Sequence, residues 1–512
     1  MSDALVDLPN SAARILPNAT RLEDVDPNEP IEISLHLKDP EAGGAEPVTR
    51  AALAASRRSA TRDAVAGITA FAAGNGFTVT AVEPAKLRVK LSGPASLHEK
   101  AFRIRLAHFD HARGRFRGHW GPLYVPSGLA ALVEAILGHE TVPVGRSHLR
   151  PLQSVGQARP WLANQIAGFY GFPAQSAAGQ TVAILEFGGG YLPSDMAAAC
   201  HEMGVPLPQI VPLSVNGAQQ DYAGGAGASG EVALDMQVVA GAAPGVKLAV
   251  YFAPNAGRSF VDATLDALHD QQNAPSVISI SWGGAEEGWS SSAMQMMNRT
   301  LADAARLGVS VFVSSGDLLA PDGVSDGMAH VNFPASSPYA TGCGGTLLDI
   351  ADNAVGSETV WNEGRSGTGG GVSRVWPVPD YQAGANVPVN IDTGQAGRGV
   401  PDIAADADPS SGFWVFLNGH ASPVGGTSAV APLWAGFTAL VNGARAEKQK
   451  KPIGFLNPVL YQSPSLLTPV TEGNNKPAGT DIGYDATSGY SAATGLGSFR
   501  NPGLFTALVD AD

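Results

Sequence analysis

A serine with small residues before it stands in Val424-Gly425-Gly426-Thr427-Ser428-Ala429-Val430-Ala431-Pro432, and an apolar helical pattern follows in Leu433, Trp434, Phe437, Leu440 and Val441. Paired glycines let the chain turn sharply into a helix. The serine Oγ is then exposed where the positive end of the helix dipole favours negative charge. That is the setting of a nucleophile, and equally of an ordinary helix cap. A nucleophilic serine needs a base. The histidines after residue 160 are His201, His269, His330 and His420, and none lies in a His-Gly-Thr context or at a boundary suited to the task. A histidine-dependent serine hydrolase, one reading of the chain, is therefore poorly supported.

Carboxylates are better placed. Gly230-Glu231-Val232-Ala233-Leu234-Asp235 opens a helix after the glycine-rich stretch 224–230, so Glu231 and Asp235, four apart, share one helix face. Acids at a helix start also complement its dipole, which is the plainer reading of the pair. Ser315-Gly316-Asp317 follows the apolar run Val309 to Val313. An aspartate there makes a turn, or, kept protonated, donates a hydrogen bond to a developing oxyanion.

The elements that must position these groups fall into two parts. In the first, alternation over 31–38 predicts a strand, 51–73 a helix, 77–82 and 87–91 strands, and 94–102 a short helix. A hairpin follows over 104–117, and a last helix over 126–137. The order suggests a ferredoxin-like α+β module. Residues 141–160 fade into Pro, Gly, Arg, His and Ser and read as an exposed linker. Beyond it, apolar strands at 182–186, 246–252, 277–281 and 309–314 alternate with helices at 195–203, 260–271 and 293–307. Repeated βα units with continuous apolar strands predict a mainly parallel sheet covered on both faces. Glu186, Trp282 and Asp317 lie just beyond strand carboxyl ends, where such sheets gather their chemistry.

Composition narrows the partners. Gly 62, Pro 37 and 15% charged residues in 512 describe a loop-rich globular chain. No apolar run approaches the ~20 residues of a membrane span, and residues 1–20 lack the basic start and apolar centre of a secretory signal. Cys200 and Cys343 form no disulfide framework and read as buried thiols. Residues 1–150 hold 18 Lys+Arg, 16 Asp+Glu and seven of the 11 histidines, whereas the remainder carries −16. Such an acidic body argues against nucleic acid as a partner and suits work at low pH.

Taken together, Glu231-Val-Ala-Leu-Asp235, Ser-Gly-Asp317 and Gly-Gly-Thr-Ser428-Ala-Val-Ala-Pro resemble the signature set of the sedolisins, the serine-carboxyl peptidases, and most closely their kumamolisin branch. The resemblance extends through Ile184-Leu-Glu186-Phe-Gly-Gly-Gly-Tyr191, Val250-Tyr-Phe-Ala-Pro254, Ile278-Ser-Ile-Ser-Trp282-Gly-Gly284 and Gly369-Gly-Gly-Val-Ser373, and through Leu91-Ser-Gly-Pro94 and Phe109-Asp-His111 in the first part. It covers nearly the whole chain in order. It implies a subtilisin-like α/β domain over 161–512, behind an activation domain over 1–140 and a processed linker over 141–160. Ser428 would be the nucleophile, Glu231 its general base, and Asp235 the partner orienting that base. Asp317 would be the oxyanion donor, Glu186 and Trp282 would extend the carboxyl network, and Ser281, Gly283, Gly284 and Gly370 would line the substrate cleft.

The implied protein is an acid-acting endopeptidase made as a self-processing, monomeric zymogen. Its partners would be peptide or protein substrates and its own inhibitory activation domain, with neither nucleic acid nor membrane. Export without a recognisable signal peptide is the expected location, and the cytoplasm the alternative. A base with an ordinary carboxylate pKa near ~4 can accept a proton in acid, where imidazole is charged. An inactive subtilisin-fold binding protein is the competing reading, and retention of all four chemical residues argues against it.

Three departures from the family stand out. Pro469 and Ser491 replace two calcium-ligating aspartates, so no metal or other cofactor is expected. Leu318-Leu319 follows Asp317 where Ser-Gly is usual, and Asn332 replaces an acid near the specificity pockets. The charge split suggests that acidification charges the module histidines and neutralises carboxylates, freeing the first part.

Overall fold

Pro30–Leu37 is a strand as expected, but it is buried on both faces from Ile33 on, with Ser34 and His36 enclosed as well as Ile31, Ile33, Leu35 and Leu37. Its sheet is ordered Thr78–Glu83, Arg88–Pro94, Pro30–Leu37, Val133–Leu137, with every pair antiparallel. The computed structural model describes residues 4–511 except 14, 17, 41–46, 153–158 and 225–226. Parts of the expected linker and of the glycine-rich stretch before Glu231 therefore lie outside the described residues. With helices Arg50–Ala60, Arg62–Asn75 and Ala95–Phe102, this sheet makes the ferredoxin-like module.

Two local expectations are corrected. The helix expected over 51–73 breaks at Thr61, whose hydroxyl donates to the Arg57 carbonyl. The helix expected over 126–137 stops at Leu132, and Val133–Leu137 becomes the fourth strand, pairing Leu35 with Ile136.

The chain divides into two compact units. The first joins 1–145 to 255–271 and 287–307, and so includes helices Gly257–His269 and Ser291–Arg306. Ion pairs, the first two of them buried, hold it together. Arg88 Nη1 lies 2.7 Å from Asp262 Oδ1, Arg57 Nη2 lies 2.7 Å from Asp303 Oδ1, and Arg258 Nη2 lies 2.6 Å from Glu32 Oε1. Burial pushes Asp262 up, but Arg88, Arg258 and Lys90 outweigh it and hold the carboxyl below the usual carboxylate range. Asp262 thus keeps its charge in mild acid.

The histidines also depart from expectation. Burial pushes His98 and His119 down to about 4 and His36 to about 3, and it holds His139 well below its ordinary value. These four stay neutral on mild acidification, so they do not supply the charging expected of the module while the first unit is folded.

The second unit comprises 146–254, 272–286 and 308–512. Its sheet runs Gln209–Ser214, Lys247–Phe252, Thr181–Glu186, Val277–Ile280, Ser310–Ser314, Thr341–Ala351, Ala354–Val360, with Ile403–Asp406 also paired to Thr341–Ala351. Pairing is parallel except in the hairpin of Thr341–Ala351 with Ala354–Val360. Thr181–Glu186 and Val277–Ile280 are buried at every position, as two-sided cover requires. Helices Ala228–Ala242 and Val430–Glu447, apolar nearly all round, pass through the interior. Cys200 and Cys343 are free and buried. Among the described residues, no helix is long and apolar enough to cross a membrane.

Candidate active site

Ser428 lies in a single 3-10 turn, Thr427–Ala429, that feeds straight into Val430–Glu447. Gly426 enters that turn at φ 108°, and a Cβ there would stand 1.9 Å from the His148 carbonyl oxygen and 2.7 Å from Asp317 Oδ2. Only glycine lets the backbone come so close. Glu231 and Asp235 occupy the first two turns of Ala228–Ala242, and both are fully buried.

Hydrogen bonds tie the expected residues into one network. Ser281 Oγ donates to Asp235 Oδ1 at 2.8 Å and lies 3.2 Å from the Ser428 carbonyl. Trp282 Nε1 donates to Glu186 Oε2 at 2.9 Å. Asp317 Oδ1 accepts from Thr427 N at 2.8 Å and Thr427 Oγ1 at 2.7 Å. The two leucines after Asp317 keep its loop tied down, since Leu319 N donates to Gly367 O at 3.0 Å and Gly367 N to Asp317 O at 3.1 Å. Gly370 packs against the Ala492 and Val400 carbonyls, with its own carbonyl accepting from Asn475 Nδ2.

Residues 146–151 form an extended strand through this network. Arg146–Ser147 pairs antiparallel with Trp282–Ala285, placing Arg146 opposite Gly283, and Arg150–Pro151 pairs with His420–Gly425. Ser147 Oγ donates to Glu231 Oε2. His148 N donates to Ser281 O and Ser428 N to His148 O, each at 3.4 Å. Arg150 Nε lies 3.2 Å from Asp317 Oδ2. His148 and Leu149 are buried, which corrects the reading of this stretch as an exposed linker. Ser147, His148 and Arg150 were missed as site residues because nothing local marks them. Their partners lie more than 80 residues away in sequence.

The electrostatics follow from burial. All four carboxyls, Glu186, Glu231, Asp235 and Asp317, have one buried oxygen outside the hydrogen bonds above, that of Asp317 facing Arg150. Burial, then the Glu186 and Glu231 charges, hold Asp235 well above its ordinary value. Burial and Glu231 do the same to Glu186. Glu231 is pushed up to about 8 by burial, with the Ser147 hydrogen bond and the nearby Ser428 hydroxyl, which itself donates to the Ser281 carbonyl at 3.4 Å, opposing and the Asp317 charge adding. The expectation of a base near the ordinary carboxylate value is thereby corrected, because this carboxyl is sealed under Ser147. Asp317 is pushed up to about 6 by burial, against the Arg150 guanidinium and the Thr427 hydrogen bonds.

This arrangement holds a hydroxyl beside a carboxyl, with a backbone N–H and a second carboxyl near one peptide oxygen. Those are the parts of acyl transfer.

Comparison with known proteins agrees. Residues 17–142 match the family described as Pro-kumamolisin, activation domain, and residues 220–454 match the Subtilase family. Kumamolisin of Bacillus sp. (strain MN-32) is 43% identical over 476 residues, covering 90% of this chain and 85% of that protein. Sedolisin of Pseudomonas sp. (strain 101) is 29% identical over 452 residues, covering 83% of this chain and 75% of that protein. The solved structure of Pseudomonas sedolisin, complexed with two molecules of pseudo-iodotyrostatin, matches with a TM-score of 0.59 at 28% identity, covering 69% of this chain and 98% of that one.

Proposed function

The chain belongs to the sedolisin family of serine-carboxyl peptidases and carries that family's activation domain, and from this premise we propose that it hydrolyses peptide bonds in acid through an acyl-enzyme on Ser428. Glu231 takes the hydroxyl proton as Ser428 Oγ attacks the peptide carbonyl, and returns it to the leaving amine. Asp235, hydrogen-bonded by Ser281, and Glu186, hydrogen-bonded by Trp282, keep the charge of this network shared. The oxyanion receives the Ser428 N–H and the Asp317 carboxyl O–H. Water then repeats the sequence on the ester.

Acid is required because Asp317 donates only when neutral. Protonating it also removes one of the influences that raise Glu231, which shifts that carboxyl toward the ionised form the base role needs.

One observation supports this reading most strongly: the Ser428 N–H is directed at the His148 carbonyl, with Asp317 Oδ2 close by. His148–Leu149 is accordingly proposed as the bond cut in self-processing, which separates residues 1–148 as activation domain and inhibitor. Full-length wild type, Ser428→Ala and Glu231→Ala, held at pH 4, test both ideas. Wild type is expected to yield a product beginning at Leu149 and to digest added peptides, and both variants to stay intact. Processing by Ser428→Ala alone would refute autocatalysis.

The C-terminal loops are proposed to fold without calcium. Val470, Val360 and Ala493 pack together beside Ala486, Thr468 and Ser498 exchange backbone hydrogen bonds, and Asp485 is engaged by Lys476 at 2.8 Å. With Pro469 and Ser491 supplying no carboxylate, this donor set does not fit the ion. One tightly held calcium per chain, found by metal analysis, would overturn the point. Action outside the cell as a monomer completes the proposal, and detection of the processed chain in culture medium, with its mass in solution, tests it.

A further inference from the structure

His148 does more than present a carbonyl. Its buried imidazole has a polar group at each nitrogen: Ser314 Oγ lies 2.9 Å from Nδ1 and Asn332 Nδ2 lies 3.3 Å from Nε2. Ser314 ends the strand Ser310–Ser314, and Asn332 begins the short strand Asn332–Phe333, which pairs with Trp282–Ala285. Both side chains are buried and set by backbone pairing. Asn332 is braced from behind, since its Nδ2 also donates to Asp322 Oδ2 at 3.0 Å. Its own Oδ1 is buried without a hydrogen-bond partner.

The pocket offers the ring both kinds of partner. Asn332 Nδ2 can only donate, while Ser314 Oγ and the Gly283 carbonyl can each accept the proton of the neutral ring. The pocket therefore holds a neutral ring with one acceptor and one donor. A side-chain amide offers the same pair. Leucine or phenylalanine offers neither, and would leave Ser314 Oγ and Asn332 Nδ2 buried with fewer partners.

We infer that Asn332 and Ser314 select substrates whose residue on the acyl side of the scissile bond is an uncharged hydrogen-bonding side chain, namely Gln, Asn or neutral His. The inference rests on the proposed acyl transfer at Ser428. The charged groups facing the ring are Arg146 and Arg150 on its own segment and Asp317 and Asp322 on the 315–322 stretch. Burial with the two arginines drives His148 down to about 3. A histidine substrate must therefore shed its proton to enter, whereas Gln carries no such requirement.

The test uses the processed enzyme and four otherwise identical quenched peptides with Gln, His, Leu or Phe at that position. They are assayed at pH 4 and 5.5 with wild type, Asn332→Leu and Ser314→Ala. Wild-type kcat/KM for Gln should exceed that for Leu and Phe by about 10- to 100-fold, and the His:Gln ratio should rise at the higher pH. Asn332→Leu should lower Gln and His and raise Leu, and Ser314→Ala should narrow the same ratio. A change in folding alone would scale all four peptides together. Wild type favouring Leu or Phe, or a ratio unmoved by either variant, overturns the inference while leaving the peptidase intact. Failure to cut any of the peptides overturns the peptidase reading and this selectivity with it.

Discussion

Arg150→Ala isolates the control that the processing strand exerts on its own cleavage. Arg150 Nε stands 3.2 Å from Asp317 Oδ2, the carboxyl oxygen proposed to donate to the oxyanion, and its guanidinium favours the ionised form that cannot donate. At that separation a charge pair is worth ~1 kcal/mol in water and ~5 kcal/mol at an effective dielectric of ~20. The arginine side chain is 29% exposed, so the lower figure is the safer one. A loss of ~1.4 kcal/mol is tenfold in proton affinity. Asp317, already raised to about 6, then holds its proton to higher pH. The upper limb of self-processing should move toward neutrality by about one pH unit, with Arg150→Lys close to wild type. Timed mass analysis of the Leu149-starting product between pH 4 and 8 reads this directly. An unmoved limb, or one displaced toward acid, would refute the role assigned to the ion pair.

The first unit should lose stability in acid through its histidines. His36, His98 and His119 have folded-state pKa values below the unfolded value of about 6.5. The unfolded chain therefore takes up protons first, and stability falls as pH drops from about 6.5 toward about 4, by roughly 3 kcal/mol for a group like His98. Urea unfolding of full-length Ser428→Ala at pH 7 and pH 4 should show the drop, and His98→Phe, set among Phe77 and Phe102, should reduce it. Equal midpoints would exclude the histidines as the acid trigger. Gly426→Ala should cut processing by at least about 100-fold, the scale of losing one oxyanion donor, because its Cβ would occupy the space of the bound carbonyl. Processing at the wild-type rate would show that the carbonyl lies elsewhere.

Local pattern carried the residues whose signal is local. The Gly-Gly-Thr-Ser428 turn, the Glu231/Asp235 helix face and Asp317 after its strand could each be read from spacing, and the structure brings all three into one buried network. The parallel strands could be read too, because two-sided burial leaves continuous apolar runs. What escaped depends on distant partners. Val133–Leu137 continues an alanine-rich helical pattern and becomes a strand only because Pro30–Leu37 offers it an edge. Residues 146–151 read as linker because their partners, Trp282–Ala285 and His420–Gly425, lie far along the chain. The raised Glu231 carboxyl was equally hidden, since its cause is burial beneath Ser147, and burial is a tertiary property.

Asp317→Asn puts the carboxyl account to its most direct test. The amide oxygen can keep the Thr427 hydrogen bonds, while the amide nitrogen donates at every pH. The pH–rate profile of this variant should lose its fall above pH 6 and stay flat toward neutrality. A fall that persists unchanged would mean that Asp317 is not the group that must be neutral, and would contradict the mechanism.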